Sequence, residues 1–301
     1  MRAIVITEPG GPEALQLIEA PLPEPGADEI RLRVAAAAVN PVDAGTRAGV
    51  FHALGWIDQP EHTGIGWDVA GTVDALGPGV TGPAVGTAVA AVLTTLNVPL
   101  GSYAEYVVVP ADSVAPVPAE LDPVAAATIP LNALTAEQAL DLLDVDPGSD
   151  LLVTGAAGGV GGYLLPLALA RGFRVSGLAR QSDAEFVRAT GAELLTELPA
   201  APRFDVVIDA ASLVRPALDA VRSDGQYIGV TPADVPESVR GIRTGAVRIV
   251  HDGSRLAQLL QLAADGTLAV RIAGTLPLAE AGEAHRLLAK GGTRGRYLLV
   301  P

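Results

Sequence analysis

Hydrophobic and polar residues follow one pattern near the start of the chain and another in its middle. In residues 1–120, short apolar runs alternate with polar positions at a period of two, most clearly at 30–34, which read Ile-Arg-Leu-Arg-Val. Glycine and proline separate these runs at close intervals. Many short strands with such turns are typical of a small β-barrel or sandwich. We predict strands at 2–7, 15–19, 29–34 with its continuation 35–40, 66–76, 85–93 and 101–110, and a loop at 41–43.

The pattern changes after residue 122. An alanine-rich, helix-like run is followed from residue 151 by apolar strands that alternate with helical segments, which predicts a parallel, doubly wound sheet in an α/β protein. The predicted strands are 151–154, 174–178, 192–196, 205–209, 226–230 and 247–251, and the predicted helices lie near 182–190, 212–222 and 254–265. Residues 267–301 return to strands at 268–272 and 297–300 around a helix at 278–288.

A glycine-rich turn at 155–161, reading Gly-Ala-Ala-Gly-Gly-Val-Gly, joins the strand at 151–154 to an apolar helix. In a dinucleotide-binding unit, Gly158 lets the backbone approach a diphosphate and Gly161 lets the helix pack on the strand. The phosphate then lies against the free N–H groups at the start of the helix. Ala156 stands where a first glycine is expected, and Pro166 is expected to kink the helix. The alternative is a tight connection without a ligand. The candidate phosphate-binding residues are Ala156, Gly158, Gly159, Val160 and Gly161.

Composition excludes several classes of function. The chain has 301 residues, which suits two domains, and no cysteine, which excludes disulfides, thiolate chemistry and cysteine-based zinc sites. A net charge of −14 argues against a nucleic-acid partner, because phosphate backbones need a basic surface. No apolar run is long enough to span a membrane, and the first residues have no signal-peptide character. We therefore expect a cytoplasmic protein without a membrane partner.

Several motifs occur in an order that resembles the medium-chain dehydrogenase/reductase superfamily, and within it the zinc-independent quinone oxidoreductase branch. They are VNPVD at 39–43, GWDVAGTV at 66–73, GSYAEYVVVP at 101–110, AATIPLNALTA at 126–136, TGAAGGVGG at 154–162 and the tail at 282–301. The resemblance implies a split GroES-like β-barrel into which a Rossmann domain with a doubly wound parallel sheet is inserted. It also implies that 1–120 with 267–301 form the substrate domain and 121–266 the coenzyme domain.

The same resemblance bears on metal binding. Zinc-dependent relatives carry cysteine where Asn40 stands and His-Glu where Trp67 and Asp68 stand, and neither asparagine nor tryptophan is a zinc ligand. The four histidines, which we interpret as surface or loop residues, are far apart in sequence; they are His52, His62, His251 and His285. We predict that no metal is bound.

Arg180 indicates which coenzyme is used. The strand at 174–178 should end beside the adenine ribose, where an NAD-specific site places a carboxylate on the 2′-hydroxyl. Here Ala179, Arg180 and Gln181 follow the strand, and a guanidinium binds a phosphate through paired charge-assisted bonds. Arg180 therefore predicts NADPH, with Gln181 and Ser182 as further contacts, although an ordinary solvated arginine is the alternative.

The resemblance implies further coenzyme contacts. Thr135 matches a contact to the nicotinamide portion, Ala210 and Ala211 approach the ribose, and Gly229 and Val230 lie near the nicotinamide. Two arginines match a basic tail that reaches the cofactor, or else lie on a solvated turn; they are Arg294 and Arg296.

Three residues are candidates for the reaction itself. The resemblance implies that Asn40 faces the nicotinamide and the oxygen of the substrate, with Asp43 orienting it or capping the next segment. Turn chemistry alone is the alternative, since both residues readily bond their own backbone. Trp67 either walls the substrate pocket or belongs to the core. Gly45 stands where the branch often carries tyrosine or lysine, so a proton donor is missing.

These features predict an NADPH-dependent reductase of quinones or other α,β-unsaturated carbonyls, with the proton coming from solvent. A plain ketone would need help to stabilise its alkoxide, which zinc or an acid would supply. The alternatives are an enoyl reductase of lipid or polyketide metabolism and an NADPH-binding sensor or structural protein with little turnover. We also expect a homodimer, because the segment 247–251 is predicted to be an edge strand.

Overall fold

The change of architecture after residue 122 is present in the computed structural model, which describes residues 1–301 apart from the side chain of Asp234. The chain divides into two units. The first comprises Met1–Leu131, Val250–Gly266 and Val270–Pro301, and the second comprises Asn132–Ile249 and Thr267–Ala269. The predicted domain limits at residues 120 and 266 stay a prediction.

The elements are numbered in chain order. The strands are β1 (Arg2–Ile6), β2 (Gln16–Glu19), β3 (Glu29–Ala38), β4 (Thr63–Gly64), β5 (Asp68–Leu76), β6 (Ala88–Val92), β7 (Tyr106–Pro110), β8 (Val114–Pro116), β9 (Asp150–Thr154), β10 (Arg174–Leu178), β11 (Glu193–Leu195), β12 (Phe204–Asp209), β13 (Val221–Gly229), β14 (Arg243–Ala246), β15 (Ile272–Pro277) and β16 (Arg296–Val300). The helices are α1 (Pro41–Arg47), α2 (Val50–Ala53), α3 (Pro123–Ala126), α4 (Pro130–Asp141), α5 (Gly159–Ala170), α6 (Ala184–Ala189), α7 (Arg215–Asp219), α8 (Gly253–Ala264) and α9 (Ala281–Ala289).

The first unit is built around the long strand β3. This strand pairs with β5 on one side and with β7 and β16 elsewhere along its length, in a seven-stranded sheet. Its alternating side chains bury Ile30, Leu32 and Val34 in a core that β5, β6 and β7 complete. Because β16 lies at the end of the chain and pairs with Ala37 and Ala38, the C-terminal segment belongs to the same barrel.

The second unit contains a six-stranded sheet in the order β11-β10-β9-β12-β13-β14, and all of its pairs are parallel. The four last residues of β9 are fully buried, as expected for a strand covered on both faces. In the register of the sheet, Thr154 lies opposite both Leu178 and Asp209. The carboxyl ends of β9, β10 and β12 therefore share one edge, where ligands bind in such sheets.

Three predicted elements are wrong. The edge strand is β14, so the strand predicted at 247–251 is displaced by four residues; the small and polar residues of β14 carry little apolar signal, whereas 247–250 are rich in β-branched residues. Similarly, β15 replaces the strand predicted at 268–272. The loop predicted at 41–43 is the first turn of α1, because Asn40 is its N-cap and Pro41 its first residue.

Candidate functional site

The glycine turn of the second unit has a backbone conformation and close backbone contacts that leave no room for side chains at several positions. Gly155 has a φ of +57°, and the N–H of Gly158 bonds its carbonyl oxygen at 2.7 Å. A Cβ added to Gly161 would lie 2.2 Å from that same oxygen, and one added to Gly158 would lie 2.9 Å from it. These positions therefore need glycine, and three of the first four residues of the twelve-residue α5 are glycine, which leaves little side-chain cover at its N-terminus. This backbone fits a diphosphate.

Ala156, the departure from the expected glycine, is explained by its packing. It is fully buried, and its methyl group contacts the strand β10, where a Cβ on Gly177 would come within 2.8 Å of it. Its N–H donates to the carbonyl oxygen of Leu178 at 3.1 Å. The methyl group is thus directed into the sheet, and Gly177 makes the room for it.

Arg180 follows β10 by two residues and is exposed. Since Leu178 lies beside Thr154, this arginine comes from the strand adjacent to the glycine turn. Among the described residues, no carboxylate forms an ion pair with Arg180. Gln181 and Ser182 are also exposed, in a short 3₁₀ turn. A solvated guanidinium at this point fits a phosphate on the ribose.

Asp209 holds the ends of three strands together, and the sequence analysis missed it. This buried carboxylate accepts hydrogen bonds from Thr154 Oγ1, from Tyr227 Oη at 2.8 Å and from the N–H of Val214 at 2.8 Å. Val214 has a φ of +56°, which is strained for a β-branched residue. The sequence signal that could have identified Asp209 is an acidic residue at the end of an apolar strand.

The remaining predicted coenzyme contacts occupy several elements. Ala210 and Ala211 follow β12, Gly229 ends β13, and Val230 comes next; Gly159 and Val160 open α5, and Thr135 is buried in α4. Arg294 is exposed before β16, and Arg296 is the first residue of β16 in the first unit. The coenzyme contacts implied for these residues stay predictions.

The first unit contains a buried polar cluster around Asn40. The N–H of Asn40 donates to Asp43 Oδ2 at 2.8 Å, and its Nδ2 donates to Asp68 Oδ2 at 2.8 Å and to the oxygen of Ala38 at 3.3 Å. Asp68 Oδ1 accepts from the N–H of Leu131 at 2.6 Å. Asn40, Asp43 and Asp68 are all 0% exposed. The structure thus brings the predicted Asn40 and Asp43 together and adds a second carboxyl.

A chain of side chains continues from Asp43. Tyr103 Oη lies 3.2 Å from Asp43 Oδ2 and 3.2 Å from His285 Nε2, and Arg47 Nε lies 3.2 Å from His285 Nδ1. Arg47 Nη1 also donates to the oxygen of Gly10 at 2.6 Å. His285 is a buried residue of α9, so its interpretation as a surface or loop histidine is wrong.

Burial changes the ionisation of this cluster. It raises the pKa of Asp43 to about 8, and the charge of Asp68 adds to the rise, whereas the N–H of Asn40 and the charge of Arg296 oppose it. Burial likewise raises the pKa of Asp68 to about 7. Burial, with the charge of Arg47, lowers the pKa of His285 to about 4. The histidine is therefore neutral at pH 7, and Asp43 retains a proton.

Trp67 is half-buried immediately before β5. The sequence analysis missed Asp68, Tyr103 and Arg47 as members of the cluster, and only Asp68 gave a local signal, as a carboxylate opening an apolar strand. In the described part of the chain, no group of three histidine, aspartate or glutamate side chains is arranged to hold a metal ion. Among the same residues, no helix is both long and apolar enough to cross a bilayer.

Comparison with known proteins agrees with this arrangement. Residues 26–119 match the family described as the alcohol dehydrogenase GroES-like domain, and residues 183–299 match the family described as zinc-binding dehydrogenase. The chain is 31% identical to an NADPH-dependent alkenal/one oxidoreductase of Arabidopsis thaliana, over 100% of this chain and 80% of that protein. It is 30% identical to a 2-haloacrylate reductase of Burkholderia sp, over 99% and 98% of the two chains.

A solved structure has the same fold. The quinone oxidoreductase from Coxiella burnetii superposes with a TM-score of 0.89 at 28% identity, covering 100% of this chain and 99% of the other. The predicted combination of a GroES-like barrel with a Rossmann sheet is thereby confirmed.

Proposed function

Because the chain belongs to the medium-chain dehydrogenase/reductase superfamily, we propose that it is an NADPH-dependent reductase of quinones or other α,β-unsaturated carbonyl compounds that works without zinc. The observation that carries this proposal is the glycine turn at 155–161, with the exposed Arg180 two residues beyond the adjacent strand β10. The relatives support it, since their names refer to NADPH, alkenals, haloacrylate and quinone.

Different residues would bind different parts of the coenzyme. The backbone of 158–161 would hold the diphosphate at the start of α5, and Arg180 would pair with the phosphate on the ribose. Asp209 fixes the loop that carries Ala210 and Ala211, through the N–H of Val214 and the side chain of Thr154. When bound, NADPH supplies a hydride from C4 of its nicotinamide ring.

In the first unit, Asn40 would hold the oxygen of the acceptor. The side-chain NH₂ of Asn40 makes two hydrogen bonds, one to Asp68 at 2.8 Å and a longer one to the oxygen of Ala38 at 3.3 Å. The hydrogen of the longer bond is the one that would also donate to the acceptor oxygen. A quinol oxygen or an enolate takes a proton readily from water, which suits a site where Gly45 replaces a proton-donating side chain. A simple ketone would form a less stable alkoxide, and neither Asn40 nor Trp67 is a side chain that would hold a Lewis-acid metal beside it.

Replacing Arg180 with glutamate tests the coenzyme. We expect the Kd for NADPH to rise at least about tenfold while the Kd for NADH changes little, because the carboxylate repels only the additional phosphate. Titration of intrinsic or coenzyme fluorescence measures both values. Arg188→Glu is the matched control, since Arg188 is exposed on the next helix, and it should leave the two Kd values unchanged. Equal losses of both coenzymes in Arg180→Glu contradict the assignment.

A panel of acceptors tests the reaction. Loss of NADPH absorbance with quinones, alkenals and enoyl thioesters separates the proposed reductase from an enoyl reductase, which would prefer thioesters. Tight NADPH binding without turnover on any acceptor would instead indicate a sensor or structural protein.

Two further features belong to the proposal. A homodimer formed through β14 is supported by the position of this strand at the edge of the six-stranded sheet, and light scattering measures it. A cytoplasmic location stays a prediction, which cell fractionation tests.

A further inference from the structure

In the chain of hydrogen bonds from Arg47 through His285 and Tyr103 to Asp43, every group donates towards Asp43. A guanidinium only donates, so Arg47 Nε–H donates to His285 Nδ1, at 3.2 Å. A neutral imidazole that accepts at Nδ1 carries its proton at Nε2, which must then donate to Tyr103 Oη. The tyrosine hydroxyl has one hydrogen, and this direction leaves it for Asp43 Oδ2. Arg47 thus determines the direction of all three bonds.

The two oxygens of Asp43 are therefore not equivalent. Oδ2 accepts from Tyr103 Oη and from the N–H of Asn40, at 3.2 and 2.8 Å. Oδ1 is buried and has no hydrogen-bond partner among the described residues. Since two donors point at Oδ2, a proton carried by this carboxyl lies on Oδ1.

We propose that Asp43 is a positioning residue which works as a neutral acid, holding its proton on Oδ1 so that no second carboxylate lies beside Asn40 during reduction. The proposal rests on the proposed function, in which Asn40 holds the acceptor oxygen. Hydride arrival makes that oxygen negative, and preorganised groups that favour negative charge accelerate such a step. Asp68 is already 2.8 Å from Asn40 Nδ2, and an ionised Asp43 would add a second negative charge.

The charged groups around Asp43 agree with this role. Asp68 faces it from β5, Arg296 from β16 and Tyr103 from the segment before β7, while His285 on α9 is neutral. Together with burial they place the pKa of Asp43 at about 8. The carboxyl is accordingly protonated at neutral pH and ionises in mild alkali.

The pH dependence of enone reduction tests the proposal. We expect kcat/KM of the wild-type enzyme, at saturating NADPH, to fall about tenfold or more as the pH rises two units above 8. Asp43→Asn keeps a neutral NH₂ donor in place of the proton-bearing Oδ1 and should lose most of this fall. Asp146→Asn, an exposed carboxylate of the second unit, should retain it. An unchanged fall in Asp43→Asn overturns the proposal.

The hydroxyl of Tyr103 provides the second test. Tyr103→Phe removes a bond that favours the ionised carboxyl, so the alkaline fall should shift to higher pH, whereas Tyr106→Phe, three residues along the chain, should not shift it. A shift to lower pH, or none, counts against the direction derived for the chain.

Infrared spectroscopy measures the proton without turnover. Near neutral pH the wild-type protein should show carbonyl bands of buried protonated carboxyls, and the band of Asp43 is the one that disappears only above pH 8. This band should be absent from Asp43→Asn, whereas that of Asp68, whose pKa is about 7, should remain. If the band of Asp43 is present and no enone is reduced, the proposed function fails while the ionisation state stands. If enones are reduced and the band is absent, the role of Asp43 is wrong.

Discussion

The nucleotide turn of the second unit and the carboxyl cluster of the first are built in opposite ways. The turn uses backbone groups of residues 155–161, which are consecutive, and it depends on the absence of a side chain at Gly155, Gly158 and Gly161. The cluster uses side chains from α1, β5, α9 and the segment before β7, which are brought together only by folding. A substitution should therefore have different effects in the glycine turn, which is local, and in the carboxyl cluster, which is assembled by folding.

The difference is one of energetics. The turn satisfies part of its own backbone, since the N–H groups of Ala156 and Gly158 donate to the oxygens of Leu178 and Gly155, so it has a modest cost in the free protein. The cluster buries carboxyls, an imidazole and a guanidinium, and an unsatisfied group of this kind is costly, so the hydrogen bonds among them are needed for stability. Loss of one partner should therefore damage the cluster more than the loss of one glycine damages the turn.

Asp68→Ala should have the largest effect on stability. It removes the carboxylate that accepts from Asn40 Nδ2 and from the N–H of Leu131, and we expect a loss of about 2–6 kcal/mol in the free energy of unfolding. Urea denaturation followed by circular dichroism measures it. Asp74→Ala, a half-exposed partner of Arg31 at the other end of β5, should cost less than about 1 kcal/mol. Similar losses of stability in Asp68→Ala and Asp74→Ala would show that the buried cluster is no more sensitive than an exposed ion pair.

Gly161→Ala should come next. The added Cβ lies 2.2 Å from the oxygen of Gly155, and the overpacking should cost about 3 kcal/mol and abolish measurable NADPH binding. Gly245→Ala, in β14 of the same unit, is the control, since its Cβ would meet only Ile228 Cδ1 at an ordinary 3.5 Å. Calorimetric titration with NADPH and urea denaturation measure the two effects, and undiminished binding in Gly161→Ala contradicts the role of the turn.

A third effect concerns His285 and is expected only as the pH falls below 6.5. Its lowered pKa, about 4 against an ordinary 6.5, means that the unfolded chain binds a proton between these values while the native protein does not. This contribution to stability is present above pH 6.5 and is lost as the pH falls towards 4, at about 1.4 kcal/mol for each unit. His285→Gln should therefore lose less stability on acidification than the wild type, whereas His62→Gln should behave like the wild type. Denaturation series at several pH values check this.

The raised pKa values of Asp43 and Asp68 act in the opposite direction. The unfolded chain releases these protons near pH 3.8, whereas the native protein holds them up to about pH 7–8. Their contribution to stability is therefore present below pH 3.8 and falls as the pH rises from there to about 7–8. Comparing His285→Gln with the wild type at every pH separates the contribution of His285 from those of Asp43 and Asp68.

The sequence patterns predicted the second unit closely. The strand β10 has its predicted limits, β9 differs by one residue, and the position of Arg180 beyond β10 follows from them. The error at 247–251 arose because β14 contains arginine, threonine, glycine and alanine, and its pairing with β13 depends on the backbone alone. The first turn of α1 was missed although Asn40, Pro41 and Asp43 are typical capping residues.

By itself, the sequence determined the features that depend on neighbours along the chain: the alternation of β3, the glycine turn, and the arginine after β10. Such features are local because backbone conformation and strand periodicity involve only a few consecutive residues. Tertiary structure alone decided that Asp43, Asp68, Tyr103 and His285 share one buried site. The hydrogen-bonded Asn40 and Asp68 are 28 residues apart along the chain, and Tyr103 and His285 are 182 apart. Their ionisation follows from burial, which is a property of the packed barrel and has no counterpart in the linear sequence.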